Sequence, residues 1–144
     1  MAACLPLEAS PDGLFQAVEF APPHFLLESA RLHPVTGRYS IIAGEPTETL
    51  TAKGNRVWLK TGCREETVQG NPLALLQQRL DEKSAVRIPS LPPFIGGVIG
   101  FLGFDAFRYI EPLPSRAQDD LGLPDLGFFF FDEAIVIDHL LEKL

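Results

Sequence analysis

Residues 92–111 constrain the fold most. They read Pro-Pro-Phe-Ile-Gly-Gly-Val-Ile-Gly-Phe-Leu-Gly-Phe-Asp-Ala-Phe-Arg-Tyr-Ile-Glu. Two prolines close off whatever precedes, and an apolar run then carries Gly96, Gly97, Gly100 and Gly103. Glycine inside an apolar strand weakens it, so it marks a bulge or the close approach of another backbone. This density of glycine predicts a central strand crowded by its neighbours. Asp105 then stands where a short helix over 105–110 would take its N-cap. A phosphate-cradling loop is the weaker reading, because no Gly-Lys-Ser/Thr follows and the spacing is not Gly-x-Gly-x-x-Gly.

The rest of the chain supplies strands around this run. Ser10-Pro11 is a helix start, cap followed by proline, and Pro22-Pro23 stops that helix. Alternation over 24–30 predicts a strand, with Phe25, Leu27 and Ser29 on one face and Leu26, Glu28 and Ala30 on the other. A second strand covers 38–43. Residues 47–52 and 56–61 flank Lys53-Gly54-Asn55 as a hairpin, and charged 64–69 reads as an edge strand. One helix followed by a β meander is therefore expected in the first half. Asn71-Pro72 repeats the cap signature, and Leu73, Leu76 and Leu80 recur at helical spacing up to about Lys83. Strands over 126–131, with four consecutive phenylalanines, and over 134–138 are apolar on both faces. Such strands need covering layers, and little chain follows them. The fold class is α+β, a largely antiparallel sheet with a few covering helices, and the chain is expected to be a piece of a longer protein.

Charge excludes some partners. The 144 residues carry a net charge of −7, with the twelve Lys and Arg scattered. Nucleic acid and anionic membrane surfaces both need a basic patch. No apolar run approaches the roughly 18 residues of a membrane span. The start Met-Ala-Ala-Cys-Leu-Pro-Leu-Glu lacks the basic region and long apolar core of a secretory signal. Cys4 and Cys63 form no Cys-x-x-Cys pair and read as free thiols of a reducing compartment. A cytoplasmic protein is expected.

Catalytic and metal-binding motifs are missing. There is no Gly-x-Ser-x-Gly and no His-Glu-x-x-His, and His24, His33 and His139 lack metal-ligand spacing. No catalytic residue and no metal ligand is assigned. Asp119-Asp120 in a proline-punctuated loop reads as solvated rather than as a cation site. Glu28, an acid among bulky aliphatics, is the odd residue. It either pairs with Arg31 or Arg38, or faces water, or receives the ammonium group of a ligand.

Three segments together resemble one family. Phe25-Leu-Leu-Glu-Ser29 resembles the Leu-Leu-Glu-Ser motif of anthranilate synthase component I. Gly37-Arg-Tyr-Ser-Ile-Ile42 with Pro46 is similar to the segment that follows it. Pro92 to Asp105, with Arg108-Tyr-Ile-Glu111, looks like the family's glycine-rich segment. Leu123-Pro-Asp125, the phenylalanine run and Ile137-Asp-His139 continue the match, which spans roughly 15–139.

The resemblance implies one half of a two-sheet α/β/β/α sandwich. The chain would be the N-terminal, regulatory domain, without the chorismate-binding catalytic domain. The whole enzyme would make anthranilate and pyruvate from chorismate, using ammonia released by a glutamine amidotransferase subunit, and would require Mg2+. This domain itself would need no cofactor. Carried over by motif, Glu28, Ser29, Tyr39 and Ser40 would line a feedback site for L-tryptophan, supported by Leu26 and Leu27. The related aminodeoxychorismate synthase component I shares the glycine-rich segment and is the alternative, as is a stand-alone ligand-binding module.

Overall fold

The computed structural model describes residues 3–6, 8–29, 33, 36–83, 88–89, 91–114 and 118–144. The chain forms two compact units. One comprises Met1–Pro46, Arg87–Gly96 and Phe131–Leu144, the other Thr47–Val86 and Gly97–Phe130.

The first unit starts with helix α1 (Pro11–Ala17), where Ser10 Oγ accepts from Gly13 N at 3.1 Å and Pro11 occupies the first turn. The helix stops at Ala17, before Pro22-Pro23. Its sheet has the order β1 (His24–Leu27), β2 (Tyr39–Gly44), β8 (Ile135–Asp138), all antiparallel. Ile42, Ala43 and Ile137 are its fully buried apolar residues. Phe25 and Phe131 meet edge to face at 5.8 Å, and Phe15 lies against His24 at 5.0 Å.

The second unit holds a five-stranded sheet in the order β5 (Arg64–Gln69), β4 (Arg56–Thr61), β3 (Glu48–Lys53), β7 (Leu126–Phe131), β6 (Gly97–Leu102). The two hairpin loops place Gly54 and Gly62 at φ +57° and +59° in the first loop position, where an L side chain is strained. Helix α2 (Pro72–Glu82) begins at Asn71, whose Oδ1 accepts from Leu73 N at 2.9 Å. Its Leu73, Leu76 and Leu80 pack on a core of Leu50, Ala52, Val57, Leu59, Leu126 and Phe130. The predicted leucine stripe is thus the half-buried, core-facing side of the helix. Glu48 is buried, and its Oε1 lies 3.4 Å from Arg79 Nε.

Three expectations are corrected. The β meander is interrupted: β2 and β3 belong to different sheets, separated at Gly44-Glu45-Pro46, where Glu45 has φ +53° and Pro46 has no N–H to donate. The glycine-rich strand, expected to be central, is an edge: β6 pairs only with β7 among the described residues. Its crowding is real, because a Cβ on Gly100 would sit 2.1 Å from the Gly127 carbonyl oxygen. Glycine there permits close approach to one neighbour, and one neighbour is compatible with an edge. Asp105 is not the cap. The 3-10 helix (Phe104–Tyr109) has Gly103 in that position, and Asp105 pairs with Arg108 at 2.9 Å inside it. Strand β7 is buried at Leu126, Gly127, Phe130 and Phe131, while Phe128 and Phe129 are half-buried.

Candidate functional site

Strand register brings together residues that are far apart in sequence. β1 and β2 pair Leu26 with Ile42 and Leu27 with Ile41, so Glu28 and Ser40 come next in the same register. On the other side of β2, Tyr39 pairs with Asp138 and Ser40 with Ile137. Alternation sends Ser40, Ile42, Ile137 and His139 to one face and Tyr39 and Asp138 to the other.

Ser40 is the centre of the first face. It is 1% exposed, and its Oγ lies 3.2 Å from Glu28 Oε1 and 2.7 Å from His139 Nε2. A serine hydroxyl has a single hydrogen. The contact with the Glu28 carboxylate, which accepts only, takes that hydrogen, so the contact with His139 is donated by the ring N–H. The backbone holds the histidine in place, its N–H donating to the Arg38 carbonyl at 2.9 Å. Glu28 itself is exposed, and no cation among the described residues pairs with it. Of the arginines proposed to neutralise it, Arg31 lies outside the described residues and Arg38 is engaged elsewhere.

That engagement is on the opposite face. Arg38 Nε donates to Asp138 Oδ1 at 2.9 Å and its terminal nitrogen donates to Oδ2 at 2.5 Å, while the guanidinium lies over the Tyr39 ring at 4.9 Å. Asp138 also accepts from Leu140 N and Leu141 N. The bond from Arg38, ahead of the backbone bonds, holds the Asp138 carboxyl below the usual carboxylate range.

Of the residues singled out in the sequence, Glu28 and Ser40 are therefore in contact. Ser29, also exposed, donates its hydroxyl to the Thr36 carbonyl at 3.1 Å, across the β1–β2 connection. Tyr39 belongs to the other face. Leu26 is half-buried and Leu27 exposed. His139 was not singled out. The available signal was the alternation Ile137–Asp138–His139, which puts His139 on the face opposite Asp138.

Asp119, read from the sequence as solvated, pairs with Lys53 and accepts from Gly122 N at 2.9 Å. Among the described residues, no group of three or more His, Cys, Asp or Glu is arranged to hold a metal ion. Cys4 and Cys63 are free and exposed, and no helix among the described residues is long and apolar enough to cross a membrane.

No protein-family model matches the chain. It is 36% identical over 137 residues to anthranilate synthase component 1 of Acetivibrio thermocellus, which covers 94% of this chain and 28% of that protein. With the Thermus thermophilus protein of the same name it is 40% identical over 134 residues, 93% of this chain and 28% of the relative. It is also 33% identical over 126 residues to aminodeoxychorismate synthase component 1 of Klebsiella aerogenes, covering 87% of this chain and 28% of the other. The chain thus spans under a third of the length of these relatives. A crystal structure of anthranilate synthase component I from Streptococcus pneumoniae TIGR4 superposes with a TM-score of 0.61 at 24% identity, covering 99% of this chain and 30% of that one, which is a likeness of fold. Over nearly its whole length, this chain is similar in sequence to proteins named anthranilate synthase component 1 and in fold to a solved anthranilate synthase component I.

Proposed function

We propose that the chain is the N-terminal, regulatory portion of a cytoplasmic anthranilate synthase component I, and that Glu28, Ser29 and Ser40 contribute to its L-tryptophan feedback site, with Tyr39 on the opposite face of β2. In the whole enzyme, chorismate and ammonia give anthranilate and pyruvate, with a glutamine amidotransferase subunit as the ammonia source. The missing catalytic domain would supply the chorismate site. Magnesium, implied for that whole enzyme, has no ligand set among the described residues, and no step is assigned to it.

The observation that carries the regulatory reading is the Glu28–Ser40 contact. A zwitterionic amino acid needs an anion for its ammonium group and donors for its carboxylate. Glu28 offers an exposed carboxylate, anchored through one oxygen by Ser40 and facing no cation among the described residues. Half-buried Leu26 lies on the same face, next to the fully buried Ile42 and Ile137, and offers apolar surface to an indole. The exposure of Phe104, Phe107, Ile110, Leu121 and Leu123 in the other unit supports the reading as part of a longer polypeptide. Regulation would follow if tryptophan binds one arrangement of the full-length protein better than another.

The test is product identity. The full-length protein, given chorismate, ammonia and magnesium, is expected to release anthranilate, and tryptophan is expected to inhibit it. Ser29→Leu is expected to weaken that inhibition. Aminodeoxychorismate as product would favour the second reading, which the Klebsiella aerogenes relative motivates. Tryptophan inhibition unchanged by Ser29→Leu and by Glu28→Ala would remove the residue assignment.

A further inference from the structure

We propose that His139 is a positioning residue of the same site: it donates its Nε2–H to Ser40 and thereby fixes the Glu28 carboxylate in the orientation that receives an amino-acid ammonium group. This rests on the amino-acid reading above and extends it to a residue 111 positions from Glu28, a separation that follows from the numbering.

The chain of contacts has one consistent polarity. His139 to Ser40 is 2.7 Å and Ser40 to Glu28 is 3.2 Å. Were Ser40 to donate to the ring instead, its lone pairs would face the Glu28 carboxylate without a hydrogen between them, which is repulsive. The histidine donor therefore sets the hydroxyl, and the hydroxyl sets the carboxylate. Ser40 is buried and cannot turn to water for a replacement donor. Glu28 is exposed, so its rotamer is not imposed by packing. Its direction depends on this one polar contact among the described residues. The groups that face His139 are Ser40 from β2 and, through the backbone, the Arg38 carbonyl. Arg38 and Asp138 neutralise each other on the other face.

A purely structural role for His139 predicts general loss of stability on substitution. A positioning role predicts a selective loss, confined to ligands that carry an ammonium group. The experiment titrates L-tryptophan and indole-3-propionate, which lacks that group, into the full-length protein and its His139→Leu and His139→Gln variants. His139→Leu removes the donor. His139→Gln retains an N–H2 donor at a comparable reach. The expected result is about a tenfold loss of tryptophan affinity in His139→Leu with the indole-3-propionate affinity unchanged, and substantial recovery in His139→Gln. Ser40→Ala is expected to show the same selective loss, with no further loss when combined with His139→Leu.

Equal weakening of both ligands, or wild-type discrimination in His139→Leu, would overturn the role of His139 while leaving the amino-acid site in place. Absence of tryptophan binding by the wild-type protein would overturn the site itself. A measurement that needs no variant reads the ring directly: nitrogen-15 spectra of His139 at about pH 8, above the usual histidine range, should show the Nε2–H tautomer. The Nδ1–H tautomer would contradict the proposal.

Discussion

Arg38 and Asp138 are separated by a hundred residues and meet in a two-point ion pair, at 2.9 and 2.5 Å. The pair ties the start of β2 to the end of β8, beside the register position that brings Ser40 to its partners.

Its stability contribution has a defined pH dependence. The Arg38 bond depresses the Asp138 pKa in the folded state, so the unfolded chain binds that proton more readily. The contribution is complete above the unfolded carboxylate pKa of about 3.9 and is lost as pH falls through the folded value. Asp138→Asn is expected to cost about 1–2 kcal/mol at pH 7, the range for a hydrogen bond to a partly solvated charge. Its cost should shrink in acid. Urea denaturation of both proteins at several pH values checks this, and a cost independent of pH would contradict it.

At Gly100 the constraint is steric. A Cβ there would lie 2.1 Å from the Gly127 carbonyl and 2.7 Å from the Phe128 ring. Gly100→Ala must push β6 off β7 and is expected to destabilise by about 2 kcal/mol or more. Gly70→Ala is the control. Nothing lies within 4 Å of that position and its φ is ordinary, so a change within about 0.5 kcal/mol is expected. Thermal denaturation of the pair of variants reads the difference.

Asn71 caps α2 through Leu73 N and Ala74 N, and its amide also donates to the Tyr109 carbonyl at 3.1 Å. Asn71→Ala is expected to cost about 1 kcal/mol, as for other lost caps. Asn71→Asp keeps the acceptor but loses the amide donor, so it should recover only the capping share. Chemical denaturation of the two variants separates these contributions.

Local chemistry made the elements legible, and long-range pairing made the site. Ser10-Pro11 and Asn71-Pro72 start helices where their cap and proline signals place them, because those signals act over one turn. Lys53-Gly54-Asn55 locates the hairpin of β3 and β4, and the charged strand 64–69 lies at an edge. The division into two sheets was not legible. β2 pairs with β8 rather than β3, and no periodicity within a strand names its partner. The same limit hid His139, whose partner Ser40 is 99 residues away. Glu28 stood out because an acid among aliphatics is chemically odd wherever the strand ends up. Tyr39 enters with Ser40 through the motif resemblance, and strand alternation puts the two on opposite faces.

The most direct test of the account is calorimetric titration of L-tryptophan into the full-length protein, wild type against Glu28→Gln. The substitution keeps size and hydrogen-bonding capacity and removes the negative charge. Saturable binding by the wild type, weakened about tenfold or more in Glu28→Gln, is the predicted result for a charge-assisted ammonium contact. Equal affinity in the two proteins would contradict it.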